Sequence, residues 1–253
     1  MMANDRRRGL LFWTLLASVA FVGACKAKPA QEPSTFLGDD PKLAEQRDLY
    51  PFHRVWLAPG WNDGGNRSIV VLPVHTAYVK EAGWWSQANL KGGDEQMAQD
   101  LESLAVFTRE KFQNAFREDR NKRFQVLDAP RDDSLVFELA LVDVVPNKAA
   151  LGALGLAASV VAAPVGAAIA AKETAKGSVA IEGRIRDAST GQIVGMWADR
   201  EAGKFGPINL RRATWYGEAH KIIEEWAGQW VKIANAEPGE KVKDTRTFTL
   251  MPW

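Results

Sequence analysis

Cys25 is the single cysteine of this 253-residue chain, and a thiol is the strongest nucleophile among common side chains near neutral pH. Upstream lie Arg6, Arg7 and Arg8, then the apolar run Leu10 to Val22, then Gly23 and Ala24. That is the layout of a secretory signal. The apolar run of about 13 residues is shorter than the about 20 needed to span a bilayer. A lone thiol placed there is suited to accept a lipid. Elsewhere the search for chemistry returns little. His53, His75 and His220 form no two-histidine helical metal motif, and one cysteine excludes a paired-cysteine ligand set. No glycine-flanked serine marks a nucleophile elbow, and no glycine-rich loop ends in lysine and serine or threonine. Asp39-Asp40, Asp132-Asp133 and Glu224-Glu225 are adjacent carboxylates that read as solvated turns or helix faces. The expectation is no catalytic residue, no metal, no cofactor and no enzyme.

Composition narrows the class of partner. The net charge of +1 comes from interspersed acids and bases, whereas nucleic-acid binding needs a concentrated basic face. Nucleic acid is therefore excluded as an expected partner. With Cys25 acylated, no thiol is left for a disulfide. Packing must carry stability, and ten tryptophans point to aromatic side chains. Residues 1–24 read as the signal, 25–48 as a flexible tether rich in proline, charge and small polar groups, and 49–253 as one domain.

Within the domain, Tyr50 to Ala58 reads as a first extended segment and Ser68 to Val74 as a strand buried on both faces. Asp94 is placed to cap a helix reaching about Glu118, with Met97, Leu101, Leu104, Thr108, Phe112 and Ala115 along one face. Lys122 to Leu127 and Leu135 to Val145 read as strands. Ser178 to Asp187 and Gln192 to Arg200 alternate as a β-hairpin, with Asp187 placed to bond the turn backbone and Gly191 where positive φ is needed. Arg211 to Asn235 reads as a second helix with the stripe Trp215, Ala219, Ile222, Trp226, Trp230 and Ile233. Together these predict an α+β fold: a mostly antiparallel sheet of about five strands with two long helices on one face.

Two segments stand out as candidate interaction surface. Trp84-Trp85 are adjacent aromatics in a loop, where at least one reaches outward, and tryptophan is enriched at interfaces. Residues 149–171 carry no charge and include Leu151, Leu154, Val160 and Val165 among small residues spaced by four. Three readings stay open for this Ala/Gly-rich excursion: packing on the domain or on another copy, shallow insertion at the membrane interface, or a true span. Sparse leucine and Pro164 weigh against the span.

The Gly23-Ala24-Cys25 ending resembles the lipobox of bacterial lipoproteins. That resemblance implies a diacylglycerol on the Cys25 sulfur, signal cleavage between Ala24 and Cys25, acylation of the new amino group, and, with Lys26 rather than aspartate following, export to the outer membrane. The motifs Ser34-Thr35-Phe36-Leu37-Gly38-Asp39, Ser68-Ile69-Val70-Val71-Leu72-Pro73-Val74, the apolar excursion and the Gly177 to Trp197 hairpin resemble an uncharacterised bacterial lipoprotein family known as domain of unknown function 3313. The chain departs from it in Pro51 to Gly65, which is longer and richer in tryptophan. The family implies no catalytic residues. The expected function is a lipid-anchored, non-enzymatic envelope module that engages a protein partner or a second copy; the alternative is a periplasmic binder of a lipid or other apolar ligand.

Overall fold

In the computed structural model, the described residues are 34–38, 40, 42–43, 49–61, 65–80, 94–145, 178–202, 217–237 and 239–243. In chain order they form β1 (Arg54–Leu57), β2 (Ser68–Val71), α1 (Ala77–Lys80), α2 (Asp94–Arg117), β3 (Gln125–Val126), β4 (Ser134–Val145), β5 (Ser178–Asp187), β6 (Ile193–Ala202) and α3 (Gly217–Asn235).

The class is α+β, but the sheet corrects the expectation. It has six strands in the order β1-β6-β5-β4-β2-β3 and is mixed rather than mostly antiparallel. β1, β6, β5 and β4 pair antiparallel, whereas β2 pairs parallel with both β4 and β3. The cause is α2. A helix between β2 and β3 carries the chain back to its starting end, so β3 and β4 run parallel to β2, where a tight turn would have reversed the chain.

The hairpin forms where alternation placed it. Asp187 accepts from the backbone N–H of Thr190 at 2.9 Å and from the Ser189 hydroxyl at 2.6 Å, and Gly191 adopts φ +68°. A bulge in β4 between Leu141 and Asp143 resets the alternation. Without it Asp143 would face the helices. With it Asp143 lies beside Arg200, whose Nη2 donates to it at 2.9 Å.

The two faces of the sheet differ. On one, Phe137, Leu139, Ile181, Ile185 and Trp197 join Leu101, Leu104 and Phe112 of α2 and Ile223, Trp226 and Trp230 of α3 in the main core. Phe107 stacks on His220 at 4.0 Å and Lys111 pairs with Glu224 at 2.7 Å, so α2 and α3 run side by side in the same direction. The Trp197 ring crowds its cross-strand neighbour Gly183, where an added Cβ would sit 2.0 Å from Trp197 Nε1. The other face carries a small separate cluster of Phe36, Ala140, Val142 and Ala180.

Candidate functional site

Residues 34–38 cross that second face as a strap. Glu182 of β5, 1% exposed, accepts from the Ser34 backbone N–H at 2.6 Å and from its hydroxyl at 2.7 Å. The Ser34 hydroxyl oxygen in turn accepts from the Phe36 N–H at 3.0 Å. Gly38, at φ +66°, closes the turn by donating to the Ser34 carbonyl at 2.8 Å. The Phe36 ring is buried against His75 and Tyr78, with the Arg184 guanidinium 4.5 Å from its centre.

Arg184 is the hub of this face. It donates to the Phe36 carbonyl at 3.2 Å and pairs with Glu138 of β4, which also accepts from Arg186 at 3.2 Å. Further along, Lys42 lies 4.8 Å from the centre of the Trp56 ring on β1. Leu43 is also buried. The chain therefore packs on the sheet within the stretch read from sequence as tether. Burying Phe36 contributes about 1.5–3 kcal/mol, and each bond to the Glu182 carboxylate about 1.5–3 kcal/mol.

On the opposite face the titratable groups also turn inward. Asp199 of β6 accepts from the His53 N–H at 3.1 Å and from Trp226 Nε1 at 2.7 Å, and contacts His53 Nδ1 as well. His53 and Asp199 are both buried. The pair has the form of an acid–base dyad, but its carboxylate is spent on a core tryptophan. Among the described residues no group of three or more histidine, cysteine or acidic side chains is placed to hold a metal ion.

A third feature is a cleft of about 660 Å³ between the C-terminal halves of α2 and α3, floored by Ala115, Ala227 and Gly228 and rimmed by Lys111, Glu118, Arg120 and Lys232. Burial works to raise the pKa of Asp119 at its end. The N–H groups of Arg123 and Asn121 and the Asn235 amide outweigh that and hold the carboxyl below its ordinary value.

The hairpin turn supplies a pH prediction. The Ser189 hydroxyl, followed by the Thr190 N–H and the Asn66 amide, outweighs burial and lowers the Asp187 pKa from 3.8 to about 2. A depressed carboxylate stabilises the fold above its unfolded pKa, and that contribution is lost as pH falls through the folded value. Thermal melts of an Asp187→Asn variant should lie below the parent at pH 7 and converge with it between pH 4 and pH 2.

Cys25, Ala24, Trp84, Trp85, Leu151, Leu154, Val160 and Val165 all lie outside the described residues. Among the described residues no helix is long and apolar enough to cross a membrane. His75 bridges to Ala140 of β4, and its ring lies against Phe36 at 5.6 Å between centres, tilted by 47°. The Glu182–Ser34 contact joins residues 148 apart, and its sequence signal is limited to Ser34-Thr35-Phe36 standing in an otherwise tether-like stretch.

A family model described as protein of unknown function (DUF3313) matches residues 32–230, taking in the strap, the sheet and most of α3. This chain belongs to the DUF3313 family. A search of curated proteins found no match. Among solved structures, a PelC dodecamer from Paraburkholderia phytofirmans is 12% identical, with 72% of this chain and 91% of that chain covered at a TM-score of 0.34. A second PelC dodecamer structure from the same organism is 11% identical, covering 65% and 88% at a TM-score of 0.34. Lipoprotein GNA1162 from Neisseria meningitidis is 11% identical, covering 67% and 99% at a TM-score of 0.22.

Proposed function

We propose that this DUF3313 chain is a cell-envelope lipoprotein, anchored to the outer membrane by lipid on Cys25, whose periplasmic domain is a non-enzymatic protein-interaction or assembly module. The strap is the observation that carries this reading. Ser34 is bonded to Glu182, only nine residues beyond Cys25, and that length of chain reaches at most about 30 Å. An anchor at Cys25 therefore holds the domain close to the bilayer with the strapped face inward. The layer of α2 and α3 then faces away from the lipid, towards a partner. Val106, 57% exposed on α2, adds an apolar side chain to that layer.

The consumed titratable groups support a non-enzymatic role. Asp199 serves His53 and Trp226, Glu182 serves Ser34, and Glu138 serves two arginines.

The anchor is tested by Cys25→Ser in cells. The parent should fractionate with outer membrane and carry acyl mass on its N-terminal cysteine. The variant should lose both and enter the soluble envelope fraction. A parent whose thiol is bare would refute the reading.

A further inference from the structure

We propose that the strap is a releasable latch that sets how far the domain stands from the membrane. The proposal rests on the lipid-anchor reading above. Its own ground is that the strap is held apart from the core. Phe36 packs with Ala140, Val142 and Ala180 in a cluster separate from the main one, and the main core first takes up the chain at Tyr50 and Phe52. Opening the strap thus leaves the residues between sheet and helices in place.

The face beneath tolerates release. Arg184 and Arg186 keep Glu138 as partner when Phe36 departs. Glu182, which is buried under the strap, becomes open to water and is solvated rather than stranded. Weakly coupled units of this kind open far more often than the whole domain unfolds.

Release changes the tether. With the strap docked, the chain between lipid and domain runs from Cys25 to Ser34. With it free, the chain runs to Lys42, which stays against Trp56, and maximal reach rises from about 30 Å to about 60 Å. For a flexible chain the mean span grows from roughly 17 Å to roughly 23 Å. The strap therefore converts one tether into two lengths, one holding the domain at the bilayer and one letting it reach further into the envelope.

Two measurements on the full chain test this. In hydrogen exchange, the Phe36 and Gly38 amides should exchange faster than those of β4 and β5 in the parent protein. Phe36→Ala should speed the Gly38 amide by roughly 10- to 100-fold while leaving the sheet unchanged, and Ser34→Ala should act in the same direction. Strap amides that exchange in step with β4 and β5 would overturn the latch. In the second measurement, lipidated protein sits on a supported phosphatidylethanolamine–phosphatidylglycerol bilayer and neutron reflectometry reads the height of the protein layer. The double variant Phe36→Ala/Glu182→Ala, which removes both the ring and the acceptor of the Ser34 bonds, should move that layer outward by roughly 6 Å. An unchanged height for this double variant, with strap amides exchanging freely, would overturn the distance role while leaving the anchor intact. Failure of the parent to be retained on the bilayer would instead overturn the anchor reading, and the distance role with it, with the exchange result standing separately.

Discussion

Gly183→Ala should destabilise the domain by about 3–5 kcal/mol, the scale of losing a large aromatic from a core. The position of the new methyl group is already filled: Trp197 Nε1 lies 2.0 Å and Cε2 2.5 Å from it. These are ring atoms of a side chain packed against Phe52, Phe112, Trp226 and Trp230. The ring has nowhere to go unless it leaves the core or β5 parts from β6. Urea denaturation followed by tryptophan fluorescence measures the loss. Trp197→Phe in the Gly183→Ala background should recover part of it, because the smaller ring clears the methyl group. Gly228→Ala is the contrast. An added Cβ there meets nothing within 4 Å, and removing a helix glycine should stabilise by about 0.5–1 kcal/mol. Equal effects at the two glycines would refute the packing argument.

The second large effect is expected at Asp199. Truncation to alanine leaves the His53 N–H, the His53 ring and Trp226 Nε1 without their acceptor in a buried site. Stranding several buried polar groups at once costs about 3–5 kcal/mol. Asp199→Asn keeps one carbonyl acceptor and should lose less. Denaturant midpoints of the two variants give the comparison. An alanine variant as stable as the parent would mean that these bonds add nothing beyond what water supplies in the unfolded chain.

The Asp199 effect arises where segments distant in sequence meet, and the Gly183 effect, though inside the hairpin, depends on the distant rings of Phe52, Phe112, Trp226 and Trp230 that hold Trp197 in place. Alternation in Ser178 to Asp187 and Gln192 to Arg200 exposed the hairpin, and Asp187 with Gly191 exposed its turn, because each depends on neighbours within a few residues. The spacing from Met97 to Phe112 marked the buried stripe of α2 for the same reason. The parallel pairing of β2 left a weaker mark. Burial throughout fits a strand covered on both faces, but does not tell which strands flank it or in what order.

The candidate site was less legible than the fold. Ser34 and Glu182 are 148 residues apart, and each taken singly reads as an ordinary polar residue. Glu182 stands among alternating apolar residues of β5 and reads as solvated, yet it is buried. The sheet is covered on two faces rather than one, by the helices and in part by the strap, so this outward-reading position is drawn inside.

Local order was written in the chain: periodicity, turn chemistry and the family motifs marked the hairpin, the buried helix stripes and the DUF3313 membership. Strand direction, the β4 bulge that turns Asp143 towards Arg200, the Trp197–Gly183 crowding and the strap on Glu182 were decided only in three dimensions. Periodicity reports which side of an element is apolar, because burial acts on each residue in turn. Which distant group completes a hydrogen bond or fills a missing side chain depends on how whole elements pack, and no single segment carries that information.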